Sequence, residues 1–196
     1  HIKVTREFNN LVCAFPHITH CKFLVECDEY EILTRWKRLQ AISWGGTSDM
    51  TFGQCPRGLL DVMGRISSLR HVHMHHKEGS CSTCAERYGW LKQLKTLKLE
   101  SMGSLRTDIR SNIVTLKNLE HLALIDCRFD ATIGFQDENF FDDVCKLDHL
   151  KKLSVSENAF TAWERKQLKK QFGKKMLLTA PYIEDQEDAA TEPAQE

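Results

Sequence analysis

The residues best suited to chemistry lie together near the middle of the chain. His71, His73 and His75 alternate through His71-Val72-His73-Met74-His75-His76, and Cys81-Ser82-Thr83-Cys84 follows after four residues. On an extended strand alternate side chains share a face, so these three imidazoles line up. Two thiolates separated by two residues have the spacing that grips zinc, and two imidazoles would complete a tetrahedral set. A zinc reading takes Cys81, Cys84, His73 and His75 as ligands of a structural ion. A strong zinc signature pairs two such elements, and this sequence has one CxxC. Three outward histidines on a binding strand, beside a loop with two thiols, also fit these residues. The reading adopted has no resident cofactor, with zinc as the alternative. A thioredoxin-like redox role would need a βαβ context that the surroundings do not supply.

Catalytic constellations are missing. The sequence contains no GxSxG elbow, no GxxxxGK[ST] phosphate loop and no HExxH helix. Acids and histidines are plentiful, but no spacing gives them the roles of nucleophile, base and orienting group. The expectation is a protein that is not an enzyme and takes no small-molecule substrate.

The elements that must hold these residues come from a repeat. The spacing apolar-x-x-apolar-x-x-apolar-x-apolar occurs six times: Phe15-Ile18-Cys21-Phe23, Trp36-Leu39-Ile42-Trp44, Ile66-Leu69-Val72-Met74, Leu91-Leu94-Leu97-Leu99, Leu116-Leu119-Leu122-Leu124 and Leu147-Leu150-Leu153-Val155. The first members are 21, 30, 25, 25 and 31 residues apart. The closing pair of each copy reads as a short strand with its apolar side chains turned into a core. The earlier pair turns the chain onto that strand. One such unit cannot bury its own apolar edge, so stacking closes the core. A degenerate last strand is expected from Leu178 and Ala180.

These residues resemble the leucine-rich-repeat family from about Phe15 to Leu178, most closely in LKQLKTLKL, LKNLEHLAL and LDHLKKLSV. The resemblance implies an α/β solenoid, or horseshoe, with short parallel strands on a concave face and short helices on the convex one. The family commonly has Asn or Cys three residues after the second strand leucine. Cys127 and Asn158 match, whereas Met102, Lys77, Thr47 and Glu26 do not. Cysteine at that place, and the segment FPHITHCKF, are similar to the repeats of F-box adaptor proteins. SENAFTAWERKQL is similar to the ribonuclease-inhibitor type. The first likeness implies the substrate-recognition region of a ubiquitin-ligase adaptor. The second implies a sensor or regulatory domain of a nucleotide-binding immune-type receptor.

Three convex helices are expected. One spans Asp108–Leu116, with Asp108 as N-cap. Another spans Phe140–Lys146. The last spans Ala162–Phe172, where Thr161 and Glu164 form a capping box and Gly173 supplies the C′ residue. Trp163, Leu168 and Phe172 should close the open end of the solenoid. Residues 15–180 then form the repeat domain. Residues 1–14 read as an irregular segment or the start of an upstream region, and residues 181–196 as an acidic disordered tail. That tail holds Glu184, Asp185, Glu187, Asp188, Glu192 and Glu196 and no base, leaving 27 basic and 21 acidic residues elsewhere, a formal +6.

Charge and cysteine usage narrow the setting. No long apolar run suggests a membrane span. Eight dispersed cysteines and the lack of an N-x-[ST] sequon point to a reduced, intracellular place, cytoplasmic or nuclear. Period two places His20, Lys22, Leu24, Ala41, Ser43, Gly45, His71, His73, His75, Thr96, Lys98, Glu100, His121, Ala123, Ile125, Lys152, Ser154 and Ser156 on the concave face. Of these, Lys22, Ser43, His71, His73, His75, Lys98, Glu100, His121, Ile125, Lys152 and Ser154 are the candidate contacts for a protein partner. Nucleic acid is not expected, because stacking aromatics are missing from that face. Insertions around Gly45–Arg57 and Arg128–Asn139 are candidate binding loops.

Overall fold

Alternating apolar side chains in the closing part of each copy produce strands, and the strands stack in sequence order. The computed structural model describes residues 15, 17–23, 30–45, 57–75, 85–105, 111–129, 144, 147–156 and 162–178. Its strands are β1 (His20–Phe23), β2 (Ala41–Gly45), β3 (His71–His75), β4 (Thr96–Leu105), β5 (His121–Phe129), β6 (Lys152–Ser156) and β7 (Met176–Leu178). All pair in parallel as one seven-stranded sheet ordered β1 to β7, with no crossover among the described strands.

The register follows the repeat. Ile42, Val72, Leu97, Leu122 and Leu153 stand side by side, as do Trp44, Met74, Leu99, Leu124 and Val155. Every member of the first row is buried, and so are Trp44, Met74, Leu99 and Leu124. The L-x-x-L pairs ahead of them are closed by one backbone hydrogen bond each. Leu39, Leu69, Leu94, Leu119 and Leu150 donate to the carbonyls of Trp36, Ile66, Leu91, Leu116 and Leu147 at 2.9–3.0 Å. Each turn thereby delivers its second apolar residue to the same layer of the core.

Behind the sheet lie a 3-10 helix (Tyr30–Arg35), α1 (Arg57–Arg65) and α2 (Ala85–Tyr88), with α1 packed against both others. Leu59, Leu60, Val62 and Met63 point α1 into the core. Arg65 pairs with Glu31 and Arg87 with Asp61, joining the three convex elements. None of these three helices was specified by the sequence reading. They sit in the first three copies, of 21, 30 and 25 residues, where the apolar pattern is least regular. Farther along, residues 111–113 are helical, inside the expected Asp108–Leu116, with Ile113 and Leu116 buried. Of the expected Phe140–Lys146 helix, Val144 is described and is buried.

The last helix, α3 (Ala162–Phe172), has the expected bounds. It buries Phe172 and ends at Gly173, whose φ is +49°. A left-handed residue at C′ satisfies late helical carbonyls, and glycine adopts it without a Cβ clash. A short 3-10 turn (Gly173–Lys175) leads into β7. There the expected strand is corrected by two residues: Met176 and Leu178, not Leu178 and Ala180, align with Leu153 and Val155. The glycine stop brings the chain back onto the sheet sooner than the 25-residue spacing suggested.

A second correction concerns Phe15, expected inside and found 56% exposed. It belongs to the first copy, which has a described neighbour on one side only. The expectations for residues 1–14, 46–56, 130–139 and 181–196, and for Thr161, lie outside the described residues. So do the side chains of Trp163, Glu164 and Leu168.

Candidate functional site

Period two leaves one face of the sheet free of the core, and three rows of side chains cross it. The first is His20, Ala41, His71, Thr96, His121 and Lys152. The second is Lys22, Ser43, His73, Lys98, Ala123 and Ser154. The third is Gly45, His75, Glu100 and Ile125, with the backbone of Ser156 next in register. All eleven candidate contacts read from the sequence therefore stand on one face, in three aligned rows. Leu24 lies outside the described residues.

Exposure along the rows is uneven. His20, Lys22, His71 and Lys152 are exposed, while Ser43, His73, His75, Lys98, Glu100, His121 and Ile125 are half-buried. Ala123 and Ser154 were expected to face outward and are buried, at 3% and 4% exposure. Both are short, so the longer side chains in neighbouring rows and strands close over them. His121 lies 3.1 Å from Ser154 through Nε2 and Oγ. Ser154 is thus a support for His121 rather than a contact surface of its own.

The centre of the face is a hydrogen-bonded group spanning β2, β3 and β4. His73 Nε2 lies 2.7 Å from Glu100 Oε2, and its Nδ1 lies 3.3 Å from Ser43 Oγ. Lys98 Nζ reaches the same Glu100 oxygen at 2.7 Å. A carboxylate accepts only, so Nε2 carries the proton that His73 donates to Glu100, and Nδ1 accepts from the Ser43 hydroxyl. Burial pushes the His73 imidazole below its ordinary 6.5, and Lys98 adds to this against the pull of Glu100. At Glu100 burial opposes ionisation, but the hydrogen bonds from Lys98 and His73 outweigh it and hold the carboxyl below its usual range. His121 is also lowered, by burial and then by the charge of Lys152. His71 Nδ1 makes a further cross-strand contact with Thr96 Oγ1 at 3.0 Å.

These bonds bear on the zinc reading. Both ring nitrogens of His73 are engaged, so a metal there would displace Glu100 or Ser43. Cys81 and Cys84 lie outside the described residues. Among the described residues no three His, Cys, Asp or Glu side chains converge to hold a metal ion.

Next to the central group is a hollow of about 370 Å³ on the β1–β4 half of the face, bordered by His20, Lys22, Ser43, His71, His73 and Lys98. The volume is at the lower end of the ligand-site range of about 300–1,000 Å³. Sequence reasoning placed these residues on one face but gave no sign of the depression. Its floor depends on the small Ala41 and Ser43 standing between longer neighbours.

Away from this face, Cys127 shows what the repeat's Asn/Cys position does. Its thiol donates to the carbonyls of Ile125 at 3.3 Å and of Leu99, on the preceding strand, at 3.6 Å. The side chain therefore fastens the end of β5 to β4. Cys21 is a second free thiol, pushed up to about 12 by burial, and so is a packing residue rather than a nucleophile.

The parallel ladder, the L-x-x-L turns and the inward apolar rows define a leucine-rich-repeat solenoid. No protein-family model and no curated relative matches the sequence. Among solved structures, an internalin (inlF) of Listeria monocytogenes is similar at a TM-score of 0.53 and 14% identity, covering 93% of this chain and 45% of that one. An internalin C2 (inlC2) of the same organism gives a TM-score of 0.44 and 10% identity over 81% of this chain and 60% of its own. The likeness to the first is one of fold. This chain spans less than half the length of that internalin.

Proposed function

We propose that the chain is a protein-recognition module that holds its partner on the strand face. The observation that carries this reading is the register of β1 to β6, which sets polar and charged residues in aligned rows across as many as six strands. Stacked repeats build extended surfaces of this kind, suited to a partner that makes many modest contacts. No helix among the described residues is long and apolar enough to cross a membrane.

Within this class, the reading adopted is the substrate-recognition part of an F-box-type ubiquitin-ligase adaptor. It rests on Cys127 at the position where such repeats carry cysteine and on the FPHITHCKF segment that leads into β1. The test is affinity capture with three forms of the protein. One is unchanged, one carries Lys22→Glu with Lys152→Glu on the strand face, and one carries Lys92→Glu with Lys117→Glu. Lys92 and Lys117 are exposed in turns outside the three rows. The expected result is a defined protein kept by the unchanged and turn-substituted forms and lost by the face-substituted form, with cullin–RING components in all three. Capture indifferent to the face substitutions would overturn the strand-face reading. Capture without ligase components would overturn the adaptor reading alone.

A further inference from the structure

The hollow on the β1–β4 half of the face has a sign. Lys22 and Lys98 stand on its border, and no carboxylate lines it among the described residues. Lys22 is exposed and makes no hydrogen bond or ion pair with a described residue. Lys98 commits one donor to Glu100, and an ammonium has three, so it can take a second acceptor. Glu100 stands in the next row, already held by Lys98 and His73. Most lysines on a solenoid surface are solvated without consequence. What sets this pair apart is that they share one row, Lys22–Ser43–His73–Lys98, and flank a depression.

The row also fixes a length. Lys22 and Lys98 are three strand spacings apart, about 14 Å at about 4.8 Å each. An extended peptide advances about 3.4 Å per residue, so side chains four residues apart are separated by about 13.5 Å and point the same way. A chain crossing the strands at right angles could therefore set one carboxylate on each lysine. Its middle residue would then lie over Ser43 and His73.

Resting on the strand-face reading, we propose that the partner binds as an extended acidic segment, with carboxylates four residues apart seated on Lys22 and Lys98. Charge complementarity and the matched spacing select this occupant.

The proposal is tested on the full chain by fluorescence anisotropy with a rhodamine-labelled, end-blocked Ser-Glu-Thr-Val-Thr-Glu-Ser peptide. Saturable binding is expected, with affinity at least about tenfold lower when both glutamates are glutamine. Lys22→Gln and Lys98→Gln should each weaken binding about three- to fivefold, the range of an exposed ion pair. Salt at about 0.5 M should remove most of the affinity. Lys22→Gln is the decisive variant, because that side chain makes no hydrogen bond or ion pair with a described residue.

Binding indifferent to the glutamates or to Lys22→Gln would overturn the proposal. So would binding that appears only after the six acids of residues 184–196 are neutralised, which would assign the hollow to the chain's own tail. If the probe fails while capture still depends on the face substitutions, the acidic segment is wrong and the strand-face reading stands. Loss of both would remove the reading itself.

Discussion

At the scale of single residues, two side chains carry most of what is particular to this protein. His73 is held by Ser43 and Glu100 and kept neutral by burial. His121 is lowered for the same first reason. Both folded values lie below 6.5, so below that pH the unfolded chain binds more protons than the folded one. The contribution of these groups is complete above about pH 6.5 and is lost as pH falls through their folded values. Thermal melts should accordingly show Tm falling between about pH 7.5 and 5.5. The fall should be smaller in His73→Gln, which can still bond to both neighbours but cannot titrate; an identical fall in both proteins would refute the assignment. Replacing both His73 and Lys98 by glutamate would be a poor probe of binding. That change sets two further carboxylates beside Glu100. Ser101 is the other special residue. Its φ of 52° accompanies the bulge between Glu100 and Gly103, where β4 spends one more residue than β5. Non-glycine residues in this region cost about 1–3 kcal/mol, more when β-branched. Ser101→Gly should therefore exceed Ser101→Val in stability by about 1–2 kcal/mol in chemical denaturation.

At the scale of elements, the repeats are tied together by recurring polar bonds. Ser68 donates to the Leu39 carbonyl, Gln93 to those of Met63 and Ile66, and Asn118 to that of Lys92. The three residues occupy one position of the L-x-x-L turn, and each reaches the preceding repeat. Beside them Glu120 is bound by Lys95 at 2.8 Å and Lys151 at 2.6 Å, which push its carboxyl down to about 2. That ion triplet links three repeats, but its side chains are exposed enough that little stability should rest on it. The end of α3 has a sharper requirement. A Cβ on Gly173 would meet no atom within 4 Å, so its glycine is needed for backbone conformation and not for space. Gly173→Ala should cost about 1–2 kcal/mol, the penalty of the left-handed region for an L-residue. Denaturant melts would measure it, and an unchanged midpoint would mean that the helix ends differently.

At the scale of the whole molecule, stability comes from stacking. Leu122 is fully buried between Leu97 and Leu153 in the sheet register. Leu122→Ala should destabilise the chain by about 2–5 kcal/mol, through lost transfer energy and the cavity left behind. Because each repeat supports both neighbours, the damage should spread beyond β5. Hydrogen exchange is expected to show loss of protection in β4 and β6 as well; loss confined to β5 would contradict that coupling.

The apolar spacing by itself determined β1 to β6 and their order, and with them which side chains turn in and which stand in rows. Period two and a stacked repeat leave no other way to bury Leu97, Leu122 and their equivalents. Gly173 likewise marked the end of α3. What local sequence could not state was decided by neighbours from other repeats. Ala123 and Ser154 are covered because longer side chains on adjacent strands lean over them. The His73 imidazole is lowered by burial against the pull of Glu100, 27 residues away, while Ser43, 30 residues away, meets its other nitrogen. The hollow exists because small residues of β2 lie between large ones of β1 and β3. Burial, titration and surface relief are properties of contacts between repeats, and only the stacked structure brings those contacts together.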